Sequence, residues 1–351
     1  MQHKFMKLNQ ITFTRFLAAI SIVIFHYGQK LPFYTNDTIS FIFKKAYLGV
    51  SYFFILSGFI MIIAYHNKGK LNFGDYLSNR FARIYPMYLL ALILFVFLTN
   101  SFSVTDIVLN IFALQAWVPL KVLVLNSPGW SISVEFFFYL IFPFLINYFY
   151  KLKPSITFTI VLLLWLFSQI FLQYFIQSIY YTEYTKSHNF VYYFPLMHLS
   201  QFLIGNLAGI IFINKMKSKN YDIPIIILIL LFLICLKFVP LDFHNGLLAL
   251  LFVPLILLIS ANTGSLTQLF NKKPLVYLGE ISFAIYILQV PIHIAFDKII
   301  IALDLDLNDS LYFTLYVFSL LIFSMICFKY VEKPLRNYLK KNKSRATSHK
   351  I

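Results

Sequence analysis

Charged residues are scarce in this sequence. They make up 12% of its 351 residues, whereas 60% are apolar and the mean hydropathy is +0.77. A soluble globular chain carries about a quarter charged residues, which it needs to cover its surface. So few charges exclude an ordinary soluble protein and predict an integral membrane protein.

Acidic residues are scarcer than basic ones. The sequence has 13 Asp and Glu against 29 Lys and Arg, which gives a net charge of +16. In a soluble protein this excess would indicate a nucleic-acid partner, but no basic stripe with interleaved aromatics stands on a polar surface here. We therefore expect no nucleic acid, and we attribute the excess to membrane topology because basic residues collect in cytoplasmic loops.

Cysteine is nearly absent. The two cysteines, Cys235 and Cys327, lie in apolar runs, and we expect one in the outer half of its helix and the other near the inner end. This arrangement argues against a disulfide and against a metal site built on thiolates. We expect no bound metal.

Long apolar runs dominate the rest of the chain. A membrane-spanning helix needs roughly twenty apolar residues. We therefore predict an all-α polytopic transmembrane helical bundle of about ten spans, in one integral-membrane domain over residues 1–338 followed by a basic tail at 339–351. The predicted spans cover residues 11–29, 47–65, 84–99, 130–150, 155–175, 190–213, 223–240, 244–261, 275–296 and 311–330.

The basic residues set the predicted orientation. With the N-terminus in the cytoplasm, most Lys and Arg fall into cytoplasmic segments and most acids fall on the opposite side. Both termini, including the basic tail, are therefore predicted to be cytoplasmic. The apolar segment 104–118 would reverse this order if it crossed, and Asp106, Asn110 and Gln115 interrupt it. We interpret it as an interfacial or re-entrant piece on the outer face.

Arg15, His26 and Glu135 are ionisable residues within predicted spans, where a charged group is costly and usually faces a polar cavity. Arg15 and His26 are eleven residues apart, which is about 16 Å along one face of a helix. Glu135 lies five residues after Trp130, where the fourth span begins, at a depth comparable with that of His26. Depth permits a His–Glu pair that would act as a general base. The simpler interpretations are that His26 is a core histidine hydrogen-bonded within the protein and that Glu135 has a structural role.

Two arginines, Arg80 and Arg83, stand at the start of the third predicted span. Their spacing puts both guanidinium groups on one helix face, at the cytoplasmic end, where they suit bidentate binding of phosphate oxygens. The alternative is that they only anchor the helix end by the positive-inside rule.

Five motifs in order resemble the acyltransferase-3 family of bacterial membrane O-acyltransferases. The resemblance runs from Leu8 to Tyr338, and the set is specific although each motif alone is weak. The motifs are Arg15 and His26 with ten residues between them, residues 49–59, the Arg-x-x-Arg of Arg80 and Arg83, the Trp-Ser-x-Ser-x-Glu of residues 130–135, and residues 330–336 at the end of the last span.

The resemblance implies transfer of an acyl group, most often acetyl, from cytoplasmic acyl-CoA to a carbohydrate hydroxyl at the bacterial cytoplasmic (inner) membrane. Acetyl-CoA or another acyl-CoA would be a co-substrate, and no tightly bound cofactor is expected. The acceptor, which could be lipid-linked, is left open among O-antigen, capsule, exopolysaccharide and peptidoglycan sugars, as is the oligomeric state.

The resemblance also implies roles for single residues. His26 would deprotonate the acceptor or carry the acyl group transiently, with Glu135 orienting it. Arg80 and Arg83, together with Arg15, would bind the CoA phosphates. The residues expected to line the substrate site are Ser131, Ser133, Tyr139, His198 and His293.

Two features remain open. Gln289 stands where many relatives have a histidine before Pro291, and His293, one turn on, is a partial substitute. Exposed aromatics at residues 180–184 could stack on sugar rings or belong to an interfacial aromatic belt. The alternative functions are a transporter or flippase of a glycan precursor and a non-catalytic membrane subunit.

Overall fold

The computed structural model describes residues 8–100 and 102–339. The predicted basic tail therefore lies outside the described residues except for Leu339. Both cysteines carry free thiols, and the regular structure of the described chain is helical. Its longer helices are α1 Asn9–Tyr27, α2 Gly49–Tyr65, α3 Phe73–Thr99, α4 Val104–Ile111, α5 Gly129–Asn147, α6 Pro154–Phe175, α7 Lys186–Tyr193, α8 Leu199–Lys215, α9 Asp222–Phe238, α10 Ala249–Ala261, α11 Ser265–Phe270, α12 Lys273–Glu280, α13 Ser282–Ala302 and α14 Asp309–Cys327.

Eight helical segments of the described chain are long and apolar enough to cross a membrane. They are α1, α2 with the turn before it, α3, α5, α6, the α7–α8 pair, α13 and α14 with its continuation to Leu339. The all-helical prediction is confirmed. The two remaining predicted spans correspond to α9, with 17 residues, and α10, with 13.

Several boundaries differ from the predicted ones. The third span begins at Phe73 rather than at residue 84, because Asn72 caps the helix by accepting a hydrogen bond from the Asp75 amide at 3.0 Å. The apolar runs at 190–213 and 275–296 are each divided into two helices. The first break lies at Pro195, which begins a short turn between α7 and α8.

The chain forms two compact units, Met1–Lys70 with Phe144–Ser282 (unit 1) and Leu71–Pro143 with Phe283–Ile351 (unit 2). In unit 1, α2 and α8 pack so closely that only glycine fits between their backbones. A Cβ at Gly205 would lie 2.0 Å from the Ile55 carbonyl oxygen, and a Cβ at Gly58 would lie 2.2 Å from that of Phe202. Small residues at helix contacts are a common way of packing helices in membranes.

The helices of unit 1 run between two ends. At one end, the Gln10 side chain donates to the Ser260 carbonyl at 3.0 Å and Asn262 donates to Asp222 at 2.8 Å. The start of α1, the start of α9 and the end of α10 therefore meet. At the other end, which we call the His26 end, Lys45 donates to the Leu236 carbonyl at 2.7 Å and the ring of Phe25 lies 5.2 Å from that of Tyr47.

Helix α10 is short because the segment before it enters unit 1 without helical structure. Three side chains of α6 bind its carbonyl groups: Gln173 donates to Asp242 at 2.6 Å, Gln169 to Asn245 at 2.8 Å and Trp165 to Gly246 at 2.9 Å. Non-helical backbone at membrane depth is tolerated only where protein groups satisfy it in this way.

In unit 2, α3 and α5 run antiparallel. Tyr76 stacks on Phe142 at 5.7 Å, and Phe81 lies 5.7 Å from Phe136. The segment between the helices folds back along α3, since Tyr88 donates to the Asn110 carbonyl at 2.6 Å. Tyr88 lies eleven residues before the end of α3 at Thr99, which is about 16 Å at 1.5 Å per residue. This is the geometry of a re-entrant segment, and α4, with eight residues, is too short to cross a bilayer.

Candidate active site

The polar centre of unit 2 is Tyr139, which lies on α5. Its buried hydroxyl donates a short hydrogen bond to the carboxylate of Glu135, one turn earlier on the same helix. The guanidinium carbon of Arg80 on α3 lies 6.0 Å from the centre of the Tyr139 ring. A tyrosine therefore joins a carboxylate and an arginine inside the helical part of the unit.

Arg83 belongs to the same cluster. The ring contacts of α3 with α5 pair residue 76 with 142 and residue 81 with 136, and this antiparallel register puts Arg83 level with Glu135. The charges of both arginines act on the Tyr139 hydroxyl. Two arginines against one carboxylate give the cluster a net positive charge, which suits an anionic group.

This arrangement corrects the predicted separation between the arginines and Glu135. We expected Glu135 near the outer face because α5 was expected to begin there. Gly129, the first residue of α5, instead packs beside Tyr88 in the interior of α3, and its carbonyl accepts from Gln115 at 2.8 Å. The re-entrant segment moves α5 along α3 and brings Glu135 to the arginines. The pairing of Glu135 with His26 stays a prediction.

The two predicted serines hold backbone groups. Ser133 donates to the carbonyl of Ala113 at 2.5 Å, and Ser131 donates to that of Pro128 at 3.0 Å. Tyr286 in turn donates to the Ser131 hydroxyl at 2.9 Å. Both serines are buried and fix the start of α5 to its neighbours, so direct contact with a substrate would need these bonds to open.

His293 lies in a hydrogen-bonded ring between α13 and α14. Its Nδ1 is 3.1 Å from Asp297 and its Nε2 is 3.3 Å from the Tyr312 hydroxyl, which also donates to Asp297. Gln289, one turn earlier, is fully buried and donates to the Tyr286 carbonyl at 2.7 Å. The side chain of Gln289 is therefore bonded to the preceding turn of α13.

In unit 1, Arg15 and His26 share one continuous helix, α1, so their predicted common face follows from its regular geometry. Arg15 is half-buried and acts electrostatically on Tyr52, whose hydroxyl shares a hydrogen bond of 2.5 Å with Thr14. His26 lies in the last turn of α1 and is exposed. Its position at the end of the helix fits a group that meets a substrate.

His198 is occupied by protein partners. Its Nε2 lies 3.0 Å from the Tyr192 carbonyl, and its Nδ1 lies 3.0 Å from the Gln201 amide nitrogen. The side chain is 1% exposed. These bonds match a neutral imidazole that donates to the carbonyl and accepts from the amide, so protein groups engage both ring nitrogens.

Sequence reasoning missed His244, which lies beside His198 with ring centres 5.7 Å apart. The ring of His244 stacks on Tyr47 at 5.7 Å and meets the ring of Tyr192 at 4.8 Å. The sequence puts His244 at the first residue of the predicted span 244–261, and only tertiary contacts show that it meets other rings. In the described part of the chain, no group of three or more His, Cys, Asp or Glu is arranged to hold a metal ion.

Apolar helices with an intramembrane Arg–Tyr–Glu cluster define a multi-pass membrane protein with a polar internal site. A family model described as an acyltransferase domain matches residues 8–329. The chain belongs to this acyltransferase-3 family.

Two curated acyltransferases are similar to parts of the chain. The chain is 26% identical to peptidoglycan O-acetyltransferase OatA of Listeria monocytogenes over 93% of its own length and 56% of that protein. It is 31% identical to acyltransferase MdmB of Streptomyces mycarofaciens over 41% of its length and 40% of that protein. The chain thus spans about half or less of the length of these relatives. No solved structure matches it significantly.

Proposed function

We propose that this protein is a membrane O-acyltransferase that moves an acetyl group from cytoplasmic acetyl-CoA to a hydroxyl of a cell-surface carbohydrate or its lipid-linked precursor. The observation that carries the proposal is the family match over residues 8–329 together with the Arg80–Tyr139–Glu135 cluster that the match contains. Two relatives, an acyltransferase and a peptidoglycan O-acetyltransferase, support the reaction class.

The arginine cluster would bind the donor. CoA carries phosphate groups, and two guanidinium groups one turn apart can hold phosphate oxygens bidentately. Arg15 stays a predicted third ligand of the phosphates.

His26 would act on the acceptor. As a base it takes the proton of the acceptor hydroxyl, the oxygen attacks the thioester carbonyl, and the C–S bond breaks to release CoA as a thiol. In the alternative route the imidazole first takes the acyl group and then passes it to the hydroxyl. The exposed position of His26 suits both routes.

The proposal includes ten spans and cytoplasmic termini in the bacterial inner membrane. Helices α9 and α10 are short, but hydrogen bonds tie them to both ends of unit 1: Asn262 to Asp222 at one end, Lys45 to Leu236 and Gln173 to Asp242 at the other. With eight or with ten crossings the same basic clusters lie in the cytoplasm, and ten crossings place the segment between α9 and α10 on the outer side.

Transfer of label from radiolabelled acetyl-CoA in membranes tests the proposal. We expect labelled glycan with the native protein and at least a hundredfold less with His26→Ala, since removing a general acid–base group costs about 10²–10⁴ in rate. Full transfer by His26→Ala would refute the catalytic assignment. Glycan that never carries label while a precursor still crosses the membrane would favour a transporter.

A double-mutant cycle tests the predicted link between His26 and Glu135. If Glu135 orients His26, Glu135→Gln should cost far less in the His26→Ala background than in the native chain. Independent, additive losses would instead assign Glu135 to the arginine cluster alone.

A further inference from the structure

A row of aromatic side chains in unit 1 has no part in the chemistry described so far. Tyr184 stacks on His188 at 5.6 Å, His188 lies 4.6 Å from Tyr192, and Tyr192 lies 4.8 Å from His244. His244 stacks on Tyr47 at 5.7 Å, and Tyr47 lies 5.2 Å from Phe25. We call these six residues the aromatic ladder.

The ladder leads from the surface to the proposed catalytic histidine. Tyr184, at one end, is 87% exposed. Phe25, at the other end, is the immediate neighbour of His26 on α1, and their ring centres are 5.4 Å apart. All six residues belong to unit 1, so this path depends only on contacts within one compact unit.

Hydrogen bonds and a defined turn hold the exposed end of the ladder in place. Tyr184 adopts a positive φ of 59°, a conformation that non-glycine residues rarely take. Hydrogen bonds hold the turn around it: the Thr182 amide donates to Ser187 at 3.0 Å, and the Thr185 hydroxyl donates to the Thr182 carbonyl at 2.7 Å. The turn fixes the Tyr184 ring against His188.

A carboxylate lines the middle of the ladder. Asp242 accepts from the Tyr192 hydroxyl at 2.5 Å and from the His244 amide at 2.8 Å. A second polar contact lies at Tyr181, whose hydroxyl is 3.0 Å from Nδ1 of His188. Ring faces with a few fixed polar groups beside them are typical of small-molecule sites.

These features match the chemistry of a sugar ring. A pyranose presents a face of C–H groups, which packs on an aromatic ring, and a rim of hydroxyl groups, which bind carboxylate, phenol and imidazole. A lipid tail packs on the apolar faces alone and makes no hydrogen bond to Asp242 or Tyr181. An interfacial belt places single Tyr and Trp side chains at the headgroup level, whereas here the rings contact one another in sequence.

We propose that the aromatic ladder is the binding track for the carbohydrate acceptor, with sugar rings stacked from Tyr184 inwards and Asp242 bonded to their hydroxyl groups, so that the reacting hydroxyl reaches His26. The inference rests on the proposed acyl transfer and assigns its acceptor site. Tyr184 and His188 are the residues that contact the sugar first. His198, through its bond to the Tyr192 carbonyl, is a positioning residue.

Steady-state kinetics of the full-length protein in membranes test the inference. Acetyl-CoA and the glycan that the native protein labels are varied separately. We expect Tyr184→Ala and His188→Ala each to raise the KM for the glycan about five- to tenfold, which corresponds to one lost aromatic contact, and to change the KM for acetyl-CoA less than about twofold. Tyr184→Phe keeps the ring and should restore most of the affinity.

Tyr174 supplies the matched control. It is 78% exposed and lies near the end of α6, as a belt tyrosine would, and Tyr174→Ala should leave both KM values unchanged. Acceptor KM values that stay native in Tyr184→Ala and His188→Ala would overturn the inference while transfer itself continues. If Tyr174→Ala and Tyr184→Ala reduce the amount of membrane-inserted protein equally, Tyr184 belongs to an interfacial aromatic belt. That result would also overturn the inference. Failure of the native protein to label any glycan would refute the acyltransferase proposal, and the track with it.

Discussion

Replacing Arg83 gives the most direct test of the proposed binding of acetyl-CoA. It shares a helix face with Arg80 and is level with Glu135, so its guanidinium group adds positive charge to a cluster in which Tyr139 already holds the carboxylate. A charge-assisted hydrogen bond to phosphate contributes about 1.5–3 kcal/mol.

We therefore expect Arg83→Ala to raise the KM for acetyl-CoA by about ten- to a hundredfold with little effect on the KM for the glycan. Arg83→Lys should recover only part of the affinity, because an ammonium group lacks the planar fork. Lys333→Ala, which removes an exposed positive charge of unit 2, is the control for net charge. If Arg83→Ala and Lys333→Ala raise the KM for acetyl-CoA equally, Arg83 acts only through the net positive charge of the protein.

At the scale of elements, close packing of α2 against α8 fixes the scaffold of the acceptor track. Alanine at Gly205 would place its Cβ 2.0 Å from the Ile55 carbonyl oxygen, and backbone atoms cannot move aside as a flexible side chain can. Forcing the helices apart should destabilise the protein by at least about 2 kcal/mol.

Thermal unfolding in detergent micelles measures this effect. Gly74→Ala is the matched control, because a Cβ there meets nothing closer than the Asn72 side chain at 3.6 Å. It should be neutral or stabilise by up to about 1 kcal/mol. Similar unfolding temperatures for Gly205→Ala and the native protein would contradict the packing described for α2 and α8.

At the scale of the whole molecule, the number of crossings decides where each loop lies. If α9 and α10 both cross, the segment between them faces the same side as the loop after α6; if neither crosses, it faces the side of Lys219. Leu241 lies in that segment and is 43% exposed, which makes it a suitable reporter.

We expect Leu241→Cys to react with a membrane-impermeant maleimide from outside intact spheroplasts, in a background with Cys235→Ala and Cys327→Ala. Thr182→Cys should react likewise, and Lys219→Cys should react only after permeabilisation. Labelling of Leu241→Cys that required permeabilisation would rule out ten spans.

The sequence by itself determined the membrane location, the helical class and the order of the motifs. These properties follow from local composition, because a bilayer forces each apolar run of sufficient length to satisfy its backbone within a helix. The family resemblance drawn from the motifs of Arg15 with His26, Arg80 with Arg83, and Glu135 agrees with the match over residues 8–329. Helix ends were less predictable, since α3 begins at Phe73, eleven residues before the predicted start of the span at residue 84.

Only the tertiary structure decided which side chains meet. It moved Glu135 from an expected outer position to the arginines of α3, since the segment before α5 folds back along α3. It also gathered Tyr184, His188, Tyr192, His244 and Tyr47 from separate parts of the chain into one ladder beside His26. Such contacts depend on how far each connecting segment enters the protein and which helices lie side by side. Hydropathy and motif spacing predict neither the depth of a connecting segment nor the neighbours of a helix. Lateral packing in a membrane is set by shape and by hydrogen bonds between distant residues.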